Sequence, residues 1–236
     1  MSVVIPAYNE EDSIADCINS VLNQNFRGAY EILVVNGPST DRTAEIAKSM
    51  GSEVIQLDER GIGIAWRVGS EKSCGEVIAF TEADTIVPEE WLDIIFKSIM
   101  QDPSIVGVVG QYCLRSKPVF VNRIVWLISY IFDYFHSIWI GYYTFRGTNF
   151  AVRRNILMKC GGFDPKIRTH GDVELSSRIS KFGKIVYNPK LIVQTTSRHI
   201  RNPKNFLRFL IRMAKAIYYI EIIKKPSQLN RMFDIR

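Results

Sequence analysis

Closely spaced cysteines are missing from this 236-residue sequence. The four cysteines, Cys17, Cys74, Cys113 and Cys160, are scattered along the chain, which argues against both a disulfide framework and a zinc site. The first residues also lack a basic n-region and a cleavage site, so we expect no secretory signal peptide. The cysteine spacing favours a reducing, cytoplasmic location.

Repeats, low-complexity tracts and Pro/Ser-rich linkers are absent as well. The hydrophobic content of 47% and the charged content of 23% are close to globular averages, so a disordered chain is not expected. The length is sufficient for one large α/β domain with a proper core. Neither a Gly-rich P-loop nor a GxGxxG motif is present, so a backbone nest for phosphate is not expected.

The positive charge is concentrated at the C-terminus. Residues 198–236 contain ten Lys/Arg and two Asp/Glu, a net charge of +8, whereas the preceding 197 residues carry a net charge of −2. We therefore predict a domain at residues 1–197 and a basic helical tail at 198–236. Such a tail suits nucleic acid or an anionic membrane surface.

An amphipathic pattern within the tail favours the membrane surface. Phe206–Ile223 is rich in apolar residues, and Arg208, Arg212 and Lys215 recur on one stripe of a helix. A core helix with a solvated stripe is the alternative. We expect an anionic membrane surface as a partner and no nucleic acid.

Apolar, mostly β-branched runs alternate with a helical pattern in the first half of the chain. The spacing of apolar residues from Ile14 to Leu22 predicts a helix capped by Asp12 or Ser13. Gly51 and Gly75 precede strands and are predicted to end helices in the left-handed conformation. Alternating strands and helices indicate an α/β, doubly wound, mostly parallel sheet. The predicted strands are Val3–Ile5, Ile32–Val35, Val54–Leu57 and Val77–Phe80.

Polar residues follow three of these strands. PAYNEE follows the first strand at 6–11, NGPSTDRT the second at 36–43, and TEAD the fourth at 81–84. In a doubly wound sheet, ligands bind beyond the carboxyl ends of the strands. The three loops are therefore expected to meet at one functional edge.

These blocks resemble family 2 glycosyltransferases, which have the GT-A fold. The resemblance runs from about Val3 to Tyr187 and includes the opening VVIPAYNEE, the turn NGPSTDRT, and the segment GIGIAWRVGSEKSCGEVIAFTEAD at 61–84. It continues with GTNFAVRRNILMKCGGFD at 147–164 and GDVELSSRISKFGKI at 171–185. The resemblance implies inverting transfer of a hexose from a UDP- or GDP-linked sugar to an acceptor hydroxyl or lipid phosphate, as in cell-envelope glycan or glycolipid synthesis.

The TEAD block corresponds to the family's metal-binding DXD motif. Asp84 matches its final Asp, and Glu82 stands where the family has its first Asp. The resemblance implies that both hold a divalent cation, Mg²⁺ or Mn²⁺, for which carboxylate oxygens are suitable ligands. Such an ion stabilises the charge that develops on a leaving nucleotide diphosphate. The alternative is a pair of solvated loop carboxylates.

Asp172 matches the position of the family's catalytic base, although Gly171 replaces the preceding Glu. A carboxylate there takes the proton of the acceptor hydroxyl as the new bond forms. The alternative is that Asp172 caps the helix that follows, and both roles are compatible.

The remaining donor-side residues are also assigned from the resemblance. Asn36-Gly37 replaces the family's Asp-Asp at the nucleobase, which leaves recognition of the base open. Tyr8 packs either on the base or on the sheet edge, and Arg67 either faces the donor or is a solvated helix residue. The predicted donor-binding set is Pro6, Ala7, Tyr8, Glu10, Asn36, Gly37, Asp41, Arg67, Glu82, Ala83 and Asp84.

Two further segments have more than one interpretation. Arg198, His199 and Arg201 follow the last predicted strand, where they either clamp the diphosphate or contact the acceptor, or simply begin the tail. Ile124–Phe145 has the length of a bilayer span, but a single span would put Asp84 and Asp172 on opposite sides of the membrane. This segment therefore packs on its own domain or dips into a membrane interface.

Together these features predict a metal-dependent, inverting glycosyltransferase, peripherally bound to the cytoplasmic membrane, with a lipid or glycan acceptor. A catalytically inactive nucleotide-sugar-binding protein is the alternative, because Asn36, Glu82 and Gly171 all depart from the family pattern. The retention of Asp84 and Asp172 argues against it. A nucleotidyltransferase is disfavoured because its Gly-rich N-terminal loop is missing.

Overall fold

A computed structural model describes residues 1–115, 117–167, 170–196, 215 and 218–223 of the protein. The strands are β1 Ser2–Ala7, β2 Glu31–Asn36, β3 Glu53–Gln56, β4 Val77–Phe80, β5 Ile105–Leu114, β6 Phe150–Arg153 and β7 Lys184–Thr195. The helices are α1 Ile14–Leu22, α2 Thr43–Ser49, α3 Ile62–Lys72, α4 Trp91–Met100, α5 Val119–Ile140, α6 Arg154–Lys159 and α7 Gly171–Ile179, followed by a π-helical turn, Tyr218–Ile222.

The strands form one sheet in the order β3-β2-β1-β4-β6-β5-β7. β1 pairs in parallel with β2 and β4, and β2 pairs in parallel with β3. β6 runs antiparallel to both of its neighbours, β4 and β5, whereas β5 and β7 are parallel. The predicted α/β, mostly parallel sheet is therefore confirmed.

Helices cover both faces of the sheet, as the alternation within β1 shows. Val3 and Ile5 pack in one hydrophobic cluster, with helices α1 and α4, while Val4 packs in a second cluster, with α3 and α7. Successive side chains of a strand point to opposite faces, so a strand that is apolar at every position must be covered on both. The fully apolar first strand thus explains the doubly wound arrangement.

The strands predicted in the first half and helix α1 are confirmed, with small differences in their ends. Ser13 occupies the N-cap position of α1, but its hydroxyl bonds to Glu10 instead of capping a helix amide. Gly51 is left-handed, with φ of +81°, as expected. The same expectation for Gly75 is wrong: a Cβ there would lie 2.5 Å from the backbone of Ser2, so close chain approach requires this glycine.

Helix α5 is unusual because it is apolar and yet exposed. His136 is its one buried residue among those the structure describes, and large side chains such as Phe120 and Ile128 are more than half exposed. One side of α5 packs on its own domain, through the buried His136 and the Asp133–Arg146 pair, whereas the other side is exposed; Phe145 beyond the helix is buried. Of the helices in the described ranges, none is long and apolar enough to cross a membrane.

The C-terminal region returns to the domain at one described point. Ile220, in the π-helical turn, packs against Val173 at the start of α7. Lys215 is helical and half-buried, whereas Arg208 and Arg212 lie outside the described residues. β7 ends at Thr195, two residues before the predicted domain boundary at 197, which remains a prediction.

Candidate functional site

A cavity of about 500 Å³ opens at the carboxyl ends of β1, β2 and β4. This is the edge at which the sequence predicts a site, and the cavity contains acidic, basic and aromatic side chains together. A larger hollow, of about 740 Å³, lies at the opposite edge around Met1 and Phe96, away from these loops. The predicted donor residues that line the 500 Å³ cavity are Pro6, Ala7, Tyr8, Glu10, Gly37, Glu82, Ala83 and Asp84.

Hydrogen bonds hold the loops after β1 and β2 together at the cavity. The Asn9 amide donates to Ser39 Oγ at 2.9 Å, and the Thr40 amide donates to Asn9 Oδ1 at 2.9 Å. The Glu10 amide donates to Thr43 Oγ1 at 2.8 Å. The two loops therefore form one rigid wall.

Asp41 has a structural position in this wall and does not line the cavity. Its carboxylate accepts hydrogen bonds from the amides of Glu11 at 3.1 Å and Thr43 at 3.0 Å. Desolvation acts to raise its pKa, but hydrogen bonds from Thr43 and Glu11 outweigh this and lower it overall. Asp41 joins the first loop to the start of α2.

Asn36 also does not line the 500 Å³ cavity. It is buried, its Nδ2 donates to Gln56 Oε1 at 2.9 Å, and its Oδ1 accepts from Ser39 Oγ at 2.8 Å. Gln56 in turn donates to the carbonyl of Gly37 at 2.7 Å. Because the Asn36 amide is engaged within the protein, it shapes the turn after β2 and does not face the cavity.

Tyr8 and Arg60 form the wall of the cavity near Gly37. The Arg60 guanidinium lies 4.2 Å from the centre of the Tyr8 ring, a cation–π contact. A Cβ at Gly37 would be 3.2 Å from Tyr8 Cδ2, so glycine gives the ring its place against the turn. Arg60 was not predicted from the sequence, because it lies in the loop between β3 and α3 and belongs to none of the motifs.

Arg67 does not reach the cavity. It lies on α3, its Nε bonds to Glu71 Oε1 at 2.8 Å, and its side chain is 41% exposed. Of its two interpretations, the structure supports the solvated helix residue. The basic side chain at the cavity is Arg60 instead, on the loop just before α3.

Glu82 and Asp84 enter the cavity from the end of β4, and each is half-buried. Asp84 accepts hydrogen bonds from the hydroxyls of Thr195, at 3.4 Å, and Thr196 at the end of β7. In the parts of the chain that the structure describes, no group of three His, Cys, Asp or Glu residues could hold a metal ion. Two carboxylates nonetheless fit a Mg²⁺ or Mn²⁺ ion that takes its other ligands from phosphate and water.

Asp172 lies in the first turn of α7. The Gly147 amide donates to its Oδ2 at 2.9 Å. Desolvation raises the pKa of Asp172 to about 6, although the amides of Val173 and Gly147 and the charge of Arg146 act in the opposite direction. The N-cap position is occupied by His170, so the alternative in which Asp172 is the cap is wrong.

Gly147 connects Asp172 to Glu82. A Cβ on Gly147 would lie 3.0 Å from Glu82 Oε1 and 2.7 Å from the Trp66 ring, so only glycine fits between them. Asp172 does not itself line the cavity, but Gly147 separates it from a residue that does. The structure thus brings two of the carboxylates predicted from the sequence, Glu82 and Asp172, to either side of Gly147. Gly147 begins one of the sequence blocks that resemble the family, GTNFAVRRNILMKCGGFD at 147–164.

Arg146 is a second functional candidate that sequence reasoning missed. Its Nη1 donates to the Gly110 carbonyl at 3.0 Å and to Gln111 Oε1 at 2.6 Å, and its Nη2 pairs with Asp133 of α5. Burial lowers the pKa of this guanidinium, while Asp172 is among the groups that favour its charge. Arg146 therefore fixes α5 to the sheet beside Asp172.

The predicted clamp residues Arg198, His199 and Arg201 lie outside the described residues. The last described residue before them is Thr196, whose hydroxyl bonds to Asp84. Their roles, like those of the site residues above, remain predictions.

Comparison with known sequences identifies a family and two informative relatives. The model of glycosyl transferase family 2 matches residues 2–161. The probable glycosyltransferase YdaM of Bacillus subtilis is 29% identical over 198 residues, 78% of this chain and 47% of the relative. The glucosyl-dolichyl phosphate glucuronosyltransferase of Haloferax volcanii is 24% identical over 182 residues, 73% of this chain and 58% of the relative. The chain therefore spans about half the length of the relatives it matches.

Solved structures share the fold of this chain. The mannosyltransferase PcManGT from Pyrobaculum calidifontis, in complex with GDP-Man and Mn²⁺, has a TM-score of 0.73 at 19% identity, covering 94% of this chain and 64% of its own. The glucosyl-3-phosphoglycerate synthase of Mycobacterium tuberculosis, with Mn²⁺, UDP-glucose and phosphoglyceric acid, has a TM-score of 0.65 at 19% identity, covering 97% and 78%. At these identities the likeness establishes the GT-A fold alone.

Proposed function

The chain belongs to glycosyl transferase family 2, and from that premise we propose that it transfers a hexose from a UDP- or GDP-linked sugar to an acceptor, with inversion and with a divalent cation. The observation that carries the proposal is the adjacency of Glu82 and Asp172 across Gly147. Glu82, on the donor side, and Asp172, on the acceptor side, then lie on either side of Gly147.

The donor occupies the 500 Å³ cavity. Its base packs beside Tyr8 and Arg60, because both side chains line the cavity at the turn after β2. Arg60 lies over the same ring and contacts the base or the diphosphate. The base edge meets backbone groups near Gly37 rather than an acidic side chain, since Asn36 is engaged elsewhere.

Asp84 and Glu82 would hold the divalent cation, which supplies stabilisation of the diphosphate's charge. The hydroxyls of Thr195 and Thr196 fix the orientation of the Asp84 carboxylate. Support for a cation also comes from the Pyrobaculum and Mycobacterium structures, which were solved with Mn²⁺ and a nucleotide sugar.

Asp172 acts as the general base. Its carboxylate takes the proton of the acceptor hydroxyl while the oxygen bonds to the anomeric carbon. The bond from that carbon to the diphosphate breaks in the same step, and its electron pair leaves with the diphosphate. A single displacement inverts the configuration. The raised pKa of about 6 makes Asp172 a stronger base than an ordinary carboxylate, and still ionised at neutral pH.

The proposed setting is the cytoplasmic face of a membrane, with a lipid or lipid-linked glycan as the acceptor. Support comes from the net charge of +8 in residues 198–236 and from the exposed apolar helix α5. The name of the Haloferax relative includes a dolichyl phosphate acceptor, which is in keeping with a lipid.

Slow hydrolysis of the donor, in which water replaces the acceptor, tests the proposal without knowledge of the acceptor. We expect Mn²⁺-dependent release of nucleoside diphosphate from one of a panel of UDP- and GDP-sugars, and loss of that release in Asp172→Asn. Binding of a nucleotide sugar without any turnover would instead support the inactive binding protein.

A further inference from the structure

Helix α5 presents a continuous apolar stripe to the outside of the domain. Ile124, Ile128, Ile131, Phe135 and Ile138 recur at helical spacing, and their side chains are between 45% and 65% exposed. The opposite side of the helix is half-buried and is held by the Asp133–Arg146 pair. The stripe is therefore a fixed surface, and an exposed stripe this apolar marks an interaction site.

The charge around the stripe selects its partner. Residues 115–145 contain three basic side chains, Arg115, Lys117 and Arg123, and one acidic side chain, Asp133. Arg115 pairs with Asp16 of α1 at 2.9 Å, so Lys117 and Arg123 carry the argument from charge. Asp133 is 14% exposed and pairs with the buried Arg146, so it contributes little negative charge to the surface. A second copy of the chain would bring another apolar surface with the same excess of cations, whereas an anionic bilayer would attract them.

Aromatic side chains point to the same partner. Trp139 is 60% exposed, and Tyr130 and Tyr134 are also exposed on α5. Trp and Tyr are enriched where a bilayer meets water, because each has an apolar ring and a polar group. Isoleucine and phenylalanine between them would enter the acyl region, as in helices that lie in the interface plane.

We propose that α5 is the membrane-docking element of this protein and lies in the headgroup region of an anionic bilayer. Only six residues, 141–146, separate its end from Gly147, which bonds to Asp172. Docking would thus set the Asp172 side of the site close to the lipid surface. This last step rests on the proposed function, and it makes the acceptor a lipid-anchored molecule that arrives from the bilayer.

Co-sedimentation of the purified full chain with vesicles tests the inference. We expect binding to phosphatidylglycerol/phosphatidylcholine vesicles. Ile128→Gln and Phe135→Gln should each weaken partition by about tenfold, the worth of one buried large apolar side chain. Glutamine is a good helix former, so α5 should persist. Leu22→Gln, at a side chain 46% exposed on α1, is the matched control and should bind as the wild type does.

Separate measurements distinguish the possible failures. Unchanged melting temperature and unchanged donor hydrolysis in the α5 variants would show that folding and the proposed reaction are intact. If the wild type does not bind the anionic vesicles, the inference is overturned. Full binding by a variant that combines Ile128→Gln and Phe135→Gln would also overturn it. A dimer that Ile128→Gln dissociates, without any vesicle binding, would assign the stripe to a second copy. If the wild type hydrolyses none of the nucleotide sugars but still binds the vesicles, the proposed function is refuted and the docking is not.

Discussion

The amide of Gly147 donates a hydrogen bond to the carboxylate of Asp172, with 2.9 Å between nitrogen and oxygen. This contact joins the chain after α5 to the start of α7. It also places the Asp172 carboxylate next to the cavity that Glu82 lines. The relationship explains why a glycine and a half-buried acid, far apart in the sequence, form one feature.

Replacement of Asp172 by Asn should reduce turnover by about 10²–10⁴-fold, which is the usual contribution of a general base. Donor affinity should change little, because the asparagine carbonyl can still accept from Gly147. In the wild type, turnover should fall as the pH drops through about 6, since protonated Asp172 cannot take a proton. Initial rates from pH 5 to 8, with nucleotide binding measured in parallel, check this.

Stability gives an independent reading of the same residue. The pKa of Asp172 is raised from 3.8 to about 6 in the folded protein, so the folded state binds more protons than the unfolded state between those values. The wild type should therefore lose stability, relative to Asp172→Asn, as pH rises from about 4 to 6, by at most about 3 kcal/mol. Urea unfolding of both proteins at several pH values measures the difference in their free energies of unfolding. A constant difference would contradict the raised pKa.

Gly147→Ala should destabilise the protein by about 1–3 kcal/mol, because the added methyl meets the Trp66 ring at 2.7 Å. It should also lower turnover, since Asp172 loses its fixed hydrogen-bond partner as the chain shifts. Gly171→Ala is the matched control: the nearest atom to its Cβ is Phe163 Cδ1 at 3.8 Å, an ordinary contact. Thermal unfolding of the two variants should separate them, and equal melting temperatures would contradict the packing argument.

Two arginines close in sequence should behave differently. Arg60→Ala should weaken nucleotide-sugar binding by about tenfold, the value of one charge-assisted contact. Arg67→Ala should leave binding unchanged, because Arg67 bonds to Glu71 on the outside of α3. Titration calorimetry with the donor that supports hydrolysis decides between them. A larger loss for Arg67 would restore the interpretation that it faces the donor.

Asp84→Ala should abolish the dependence of nucleotide binding on Mn²⁺ or Mg²⁺. Glu82→Ala should have a milder effect, because water can replace one ligand of a partly hydrated ion. Binding measured with Mn²⁺ and with a chelator is the appropriate comparison. Equal affinity of the wild type in both conditions would remove the metal from the proposal.

Changing Arg208, Arg212 and Lys215 to Glu should weaken binding to anionic vesicles by at least about a hundredfold, since each basic residue near such a surface contributes on the order of 1 kcal/mol. The effect should diminish at high salt, which screens surface charge. The loss caused by Ile128→Gln should instead persist at high salt, because it removes apolar contact. Equal salt dependence in the two variants would contradict separate roles for tail and helix.

The sequence was sufficient to predict the four strands of the first half of the sheet and the edge at which the cavity lies, but not β5, β6 and β7. Apolar runs such as Val77–Phe80 have one clear explanation, a strand buried on both faces, and the loops after parallel strands must meet. Asp84 and Glu82 reach the cavity because their position follows directly from the end of β4.

Other features depend on contacts that a linear pattern does not contain. Asn36 and Arg67 were chosen by position, but hydrogen bonding to Gln56 and Glu71 directs their side chains elsewhere. Arg60 becomes visible only when the loop before α3 folds over Tyr8. Likewise, the composition of α5 is that of a core helix or an interfacial one, and only its exposure distinguishes them.

The order of the strands also bears on how such a protein can diversify. β4 meets β6 at the one boundary where the parallel first half of the sheet adjoins the second half. Under the proposed function, the residues that choose the nucleotide precede this boundary in the chain, whereas Asp172 and α5 follow it. Recombination between relatives in the turn after α4, near Gln101, would therefore exchange acceptor range while the inherited donor preference stayed intact.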